Sequence, residues 1–387
     1  MKTVLVDSNW KKFLPLTYTR PVSHVRCGIL KIHEKWDKYL NSESVSVSEV
    51  YLNNKFFKEF KGPALILNSK FLPSVDFLKA ISTLEKGEIL VGDKEWMAIK
   101  SDDGFKKDSW EGLKSKKFEG DVTLINSWWD LFKVNLQEIE NDFKLITDKR
   151  TSQPLSKSNI LIGPKNNIFI EKGAYLEGCT LNTNYGSIYI GEDVELMEGT
   201  IIRGAFSVLE GSKIKLGAKI YGPTSIGPKC RIGGEIKNSI IQGYSNKSHD
   251  GYLGNSVIGE WVNLGADTNC SNLKNTFTEA KVWDYETGEL AATEEVFIGA
   301  CFGDYSKTGI NTMINTGSVI GVNSNVFGEG FPPKYIPSFS WGNGETYKFE
   351  KAWNVNLNIA KMAGEKLTKV DKDILKNVEK ISSEIFE

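Results

Sequence analysis

From Ile190 onward an aliphatic residue returns at every sixth position: Ile190, Leu196, Ile202, Val208, Ile214, Ile220, Ile226 and Ile232. Glycine follows several of them, as at Gly191, Gly227 and Gly233, and Val194 and Thr200 stand four positions after an aliphatic. An amphipathic helix needs apolar residues about 3.6 apart and a free strand alternates at two. A period of six satisfies neither. It predicts a solenoid in which each hexapeptide makes one short strand and one corner, three flat faces to a coil, with aliphatic ladders stacked inside. The register opens less regularly at Ile162, Ile168, Ile170 and Leu176, resumes at Ile258 and Leu264, and closes with Ile314, Ile320 and Val326. It breaks over 238–257 and 271–296, which predicts two insertions leaving the prism near one another. The second carries Val282–Leu290, a hairpin pattern with Thr287-Gly288 near its turn. Loops on a rigid scaffold are where sites tend to be built.

The ends follow other rules. Residues 1–150 mix strand-like runs (Thr3–Val6, Ala64–Leu67, Ile89–Val91) with helical stretches, which predicts an α/β domain. Thr151–Ser158, rich in Ser, Thr, Gln and Pro, reads as a linker to a solenoid domain over 159–330. After Phe331-Pro332-Pro333 the repeat stops, and 346–387 is expected to be a helical C-terminal tail, with helical spacing to about 385.

Composition narrows the functions. Lysine plus arginine number 48 against 49 aspartates and glutamates, so no global field favours nucleic acid or an anionic membrane, while small anions need only a local basic pocket. Five cysteines without a CxxC pair, and a start without a secretory pattern, lead to an expected reducing, cytoplasmic setting. No apolar run approaches membrane-spanning length. His24 and His33 have no ligand-spaced partners, Trp128-Trp129 read as packing, and Cys270 has no paired base, so none is a candidate for chemistry.

His249 is the candidate that matters. It is the only histidine in the C-terminal two thirds of the chain, inside Ser245-Asn246-Lys247-Ser248-His249-Asp250-Gly251-Tyr252. Glu235-Ile236-Lys237 precede it, and Asn263-Leu264-Gly265-Ala266-Asp267-Thr268 follow. A lone histidine among an acid, a base and two asparagines on a repeat scaffold points to a general base beside a polar substrate pocket.

These motifs resemble the hexapeptide-repeat acyltransferases, above all the acetyltransferase half of the bifunctional glucosamine-1-phosphate acetyltransferase / N-acetylglucosamine-1-phosphate uridylyltransferase family. Glu235-x-Lys237, His249-x-x-Tyr252-x-Gly254, Asn263-Leu264-Gly265-Ala266-x-Thr268 and Asn272 carry the resemblance closely over 235–272 and loosely over the whole solenoid. It implies a left-handed parallel β-helix, acetyl-CoA as co-substrate, a small-molecule sugar phosphate as acceptor, and a homotrimer. By resemblance His249 is the base and Glu235 orients it or the sugar. Lys237, Tyr252 and Asn263 hold the sugar phosphate. Asn272 and Ala266 flank acetyl transfer, and Ala300 lies near coenzyme A. Arg203 and Lys219 are the substitutes for a phosphate-binding arginine that the family carries in an upstream coil.

The start of the chain, Val4-Leu5-Val6-Asp7-Ser8-Asn9-Trp10-Lys11-Lys12-Phe13-Leu14-Pro15-Leu16-Thr17, resembles the signature of Rossmann-like sugar nucleotidyltransferases. Asp7, Ser8 and Trp10 replace the glycines that let backbone N–H groups approach phosphate. Lys12 takes the place of the signature arginine, and Arg20 and Arg26 remain as anion-binding candidates. Lys70 stands where the family supplies a magnesium ligand, so Mg²⁺ is expected only if this domain is active. The readings are therefore an amino-sugar-phosphate N-acetyltransferase, a nucleotidyltransferase forming a nucleotide sugar, or an N-terminal domain that binds nucleotide or sugar without turnover. A β-helical carbonic anhydrase is excluded, because the solenoid lacks the three zinc-binding histidines it needs.

Overall fold

The computed structural model describes residues 1–93, 95–102, 104, 105, 112–342 and 344–384. The chain forms two compact units. The first comprises Met1–Phe13, Thr19–Val25 and Leu30–Ser127, and the second Leu14–Tyr18, Arg26–Ile29 and Trp128–Glu387.

The first unit is α/β. Its described strands lie in the order Ser44–Val47, Lys2–Val6, Ala64–Asn68, Trp96–Ser101, Glu88–Val91, Lys114–Lys117. The first three run parallel, and Trp96–Ser101 is antiparallel to both neighbours. Ala64–Asn68 is buried at every residue, as expected of an apolar central strand covered on both faces. Helices Ile32–Leu40, Val50–Phe56 and Val75–Ser82 accompany the sheet. The last starts where the Ser74 hydroxyl accepts the Phe77 N–H at 3.1 Å, a cap for a donor that the helix itself leaves open.

The second unit is a left-handed parallel β-helix of about 10 turns. One face runs from Ile160–Ile162 to Met313–Ile314 and carries Glu235–Lys237, and a second runs from Ile168–Ile170 to Tyr335–Ile336. The third runs from Tyr175–Leu176 to Asn246–Lys247, passes a rung of single bridges at Asn263, and continues to Ser340–Trp341. Ile190, Val208, Ile226, Ile241, Ile258, Phe302, Ile320 and Ile336 stand in register as one inward ladder. All are buried, and each such side chain contributes roughly 1.5–3 kcal/mol by leaving water.

Three expectations change here. Residues 238–257 do not leave the prism: Ile240–Gly243, Asn246–Lys247, Tyr252–Gly254 and Val257–Glu260 continue its faces. Ile220 pairs with Ile236 and Ile236 with Leu253, so shorter corners shift the sixfold spacing without ending the coil. The rungs also run past Pro333, to Ile336 and Trp341. Finally, the Thr151–Ser158 segment is pinned to the first coil, with Gln153 N on Ile170 O and Ile170 N on the Ser152 hydroxyl. The later insertion does leave the prism, as the hairpin Lys281–Asp284 with Glu289–Ala292.

Helices Phe349–Met362 and Lys369–Glu384 form the tail, and residues 385–387 lie outside the described residues. Asn356 of the first helix hydrogen-bonds to Asn323 at 3.0 Å. One corner column of the prism holds Tyr244, Trp261 and Tyr305 at φ 55, 64 and 61°, a conformation that side chains with a Cβ adopt at a cost of about 1–2 kcal/mol. Their rings stack at 4.3 and 6.1 Å between centroids, which offsets part of that cost.

Candidate active site

Parallel pairing places the candidate residues by rung. On the first face Lys219 is in register with Glu235 and Glu235 with Tyr252, while Arg203, Tyr221, Lys237 and Gly254 form the neighbouring column. Side chains of one strand point the same way two residues apart, so Glu235, Lys237 and Tyr252 share the outward surface of adjacent rungs. Asn272 joins them: a Cβ on Gly254 would collide with Tyr252 Oη and lie 2.9 Å from Asn272 Nδ2. The bare Gly254 backbone thus lets the phenol and the amide meet above it. Asn272 Nδ2 also donates to Asn255 Oδ1 at 2.7 Å.

Tyr221 was not singled out in the sequence, yet its hydroxyl donates to Glu235 Oε1 at 2.6 Å. That hydrogen bond raises the Tyr221 pKa, with burial second. Glu235 Oε2 keeps no partner among the described residues. Burial, then the Glu235 charge, pushes the Tyr252 phenol up to about 12, so both phenols are protonated donors at neutral pH. Lys237 makes no ion pair among the described residues. Its ammonium lies 6.0 Å from the Tyr221 ring centroid and 5.8 Å from that of Phe297. Phe297 was also missed, because it follows the insertion and its bridge to Leu273 has no signature in spacing. Arg203 packs over the Tyr185 ring at 3.7 Å, and Lys219 is exposed.

His249 is exposed at the corner leading into Tyr252–Gly254. Ala266 occupies the same corner one rung on, where Asp267 N donates to Asp250 O at 3.1 Å. Of the N–H groups from Gly265 to Thr268, Gly265 binds the Thr308 hydroxyl, Asp267 binds Asp250 O and Thr268 binds Gly265 O. The Ala266 N–H alone has no acceptor among the described residues. Asn263 is exposed on the third face, bridged to Asn246 and Lys307, and so stands off the Glu235 surface within one chain. Ala300 is fully buried in the core, its N–H on the Ser256 hydroxyl at 3.0 Å. Its side chain is closed to a coenzyme. Cys270 is a buried ladder residue whose thiol burial pushes up to about 12, which fits packing rather than nucleophilic chemistry.

In the first unit the loop residues are occupied by one another. Asp7 is half-buried with its carboxyl turned inward: Oδ2 accepts the Val22 N–H at 2.9 Å, and burial of the carboxyl raises its pKa to about 6. Ser8 Oγ donates to Asn68 Oδ1 at 2.7 Å. Lys70 is buried, with Nζ 2.9 Å from Glu95 Oε1 and 3.1 Å from Asn126 Oδ1. An ammonium already neutralises that carboxylate, and no cluster of metal-ligating side chains exists among the described residues, so this site does not fit Mg²⁺. Arg20 is buried in the first unit and Lys12 half-buried. Arg26 belongs to the second unit, where its guanidinium binds Ile29 O and its backbone N–H the Gln242 side chain. Arg26 is thus buried and holds a backbone segment. His24 and His33 stack on each other at 4.0 Å. No helix among the described residues is long and apolar enough to cross a membrane.

Residues 3–151 match the family model for sugar nucleotidyl transferases. Over 274 residues the chain is 28% identical to a bifunctional sugar-1-phosphate nucleotidylyltransferase/acetyltransferase of Sulfurisphaera tokodaii, covering 70% of this chain and 58% of that protein. The chain is similar to these bifunctional enzymes. It is 27% identical over 270 residues to the bifunctional protein GlmU of Clostridioides difficile, covering 65% of this chain and 53% of that one. It is 33% identical over 122 residues to GlmU of Rippkaea orientalis, covering 30% and 26%. The chain thus spans about half the length of such relatives, or less. An N-terminal nucleotidyltransferase-like unit followed by a β-helix is the architecture they share with it.

Proposed function

We propose that the β-helix is an acetyl-CoA-dependent N-acetyltransferase acting on an amino-sugar phosphate, in nucleotide-sugar or cell-envelope precursor synthesis. The observation that carries this reading is the joint surface of Glu235, Lys237, Tyr252 and Asn272, with the His249–Ala266 corner leading onto it. His249 takes the proton of the acceptor ammonium, and the freed amine attacks the thioester carbonyl. Collapse expels coenzyme A as the thiolate, which takes the second proton that the nitrogen loses, and His249 releases the first to solvent. The open Ala266 N–H supplies an oxyanion donor. Lys237 meets the phosphate. Glu235, held by Tyr221, turns its second oxygen to sugar hydroxyls. Asn263 points from another face, so in this reading it serves a neighbouring copy in a cytoplasmic homotrimer. Around Ala300, contact with the coenzyme goes through backbone.

The second reading rests on the family match over 3–151: transfer of a nucleotide to a sugar 1-phosphate by the first unit. Asp7 in the loop and Lys70 at the metal position oppose it, and favour binding of nucleotide or sugar without turnover. Mass spectrometry of products from the protein with acetyl-CoA, UTP, Mg²⁺ and a panel of hexose and hexosamine 1-phosphates separates the readings. An N-acetylated hexosamine phosphate is the expected product. A nucleotide sugar as the sole product would overturn the assignment.

A further inference from the structure

The corner that presents His249 is built on an amine from inside the prism. Lys247 occupies an inward ladder position, in register with Ile232 below and beside Leu264 above. It is 3% exposed. A lysine among aliphatic residues is costly to bury unless its N–H groups find acceptors. It finds two: Nζ donates to His249 O at 2.8 Å and to Gly233 O at 3.3 Å. Gly234 makes this approach feasible. At φ +73° its absent Cβ would lie 2.8 Å from His249 O and 2.9 Å from Lys247 Nζ, so the carbonyl and the ammonium meet in space that any side chain would fill.

We propose that Lys247 is a positioning residue, which fixes the backbone of His249 from within the core and so sets where the imidazole stands over the acceptor site. The proposal rests on the acetyltransferase reading for its kinetic consequence, while its structural content is independent of it. An isoleucine or leucine would pack the ladder better and would leave the His249 and Gly233 carbonyls without this donor. Burial brings its pKa down to about 8, against the pull of Asp250 and Asp267, the charged groups on the same corner.

The test is Lys247→Met, which keeps the length and removes the donor. With three histidines in the chain, the imidazole of His249 is assignable by NMR through the loss of its signals in His249→Ala. We expect Lys247→Met to keep the fold and to lower kcat for acetyl transfer about 10–100-fold. KM for acetyl-CoA should stay within about twofold, and the His249 ring signals should move or broaden. Lys247→Gln, whose amide still donates to one carbonyl, should recover part of kcat, and it serves as the test variant if the methionine form does not fold. Unchanged His249 ring signals together with unchanged kcat overturn the proposal. If no acceptor is acetylated by the wild type, the acetyltransferase reading fails, and the ring signals alone then decide whether Lys247 sets the position of His249.

Discussion

The polar residues of the two units are used in opposite ways. In the first unit the corresponding polar residues turn inward and bond to their neighbours: Asp7 holds the Val22 N–H, Ser8 binds Asn68, and Lys70 is clamped between Glu95 and Asn126. On the β-helix the pattern is reversed: among the described residues Lys237 makes no ion pair and Glu235 keeps one oxygen open, and His249 is exposed. Carboxylates and ammonium groups are worth placing near a ligand only when the protein leaves their capacity unfilled. The first unit has kept a nucleotidyltransferase-like sheet while filling its loop with side chains. The β-helix has kept the apolar interior for stability and left its surface groups available.

The strongest way to break this contrast is His249→Ala. Acetyl transfer should fall about 10²–10⁴-fold, with acetyl-CoA binding close to wild type, since in the proposed reaction the base acts on the acceptor amine. Full turnover in the variant, measured with the best acceptor found, would remove the β-helix from the chemistry. Next is the interior on which that surface depends. Ile214→Ala, in the ladder between Leu196 and Ile232, should destabilise the second unit by about 2–4 kcal/mol through the cavity it leaves. Chemical denaturation followed by circular dichroism reads this directly, and a loss below about 1 kcal/mol would mean the ladder is not close-packed there.

How far these contrasts could be read in advance depended on what each residue touches. The ladders were legible because a solenoid repeats one environment, so Ile202, Ile214 and Ile226 needed no tertiary knowledge to be placed inside. The Glu235-x-Lys237 surface was legible as a motif, but Tyr221 was not, since its bond to Glu235 spans one coil and the coil there is shortened. The same shortening made 238–257 look like an insertion. Lys247 was invisible for a related reason: only the register shows that a lysine has taken an aliphatic position. Ala300 was placed near a coenzyme by motif, whereas its inward direction follows from the rung alone.

A finer probe of the surface is Lys237→Ala. In the proposed reaction the charge meets phosphate in the ground state as well as in the transition state, so KM for the acceptor should rise about tenfold while kcat changes little. This splits Lys237 from His249 in steady-state kinetics. A fall confined to kcat would place Lys237 at the reacting atoms instead.

The smallest effect tests the other side of the comparison. The Asp7 carboxyl is turned inward, and its burial raises its pKa from 3.8 to about 6. For a carboxyl raised on folding, the folded state binds the proton more tightly than the unfolded one. The contribution to stability is therefore complete below about 3.8 and is lost as pH rises through about 6. Above that range wild type carries the cost of a buried charge. Asp7→Asn keeps an oxygen for the Val22 N–H and removes the charge, so it should stabilise the first unit by about 1 kcal/mol at pH 8. The gain should shrink as pH falls and vanish near pH 4, in urea titrations at matched ionic strength. Were the loop instead a working anion site held open by Asp7 at its edge, the substitution would be neutral at every pH, and the first unit would have to be regarded as ready for phosphate after all.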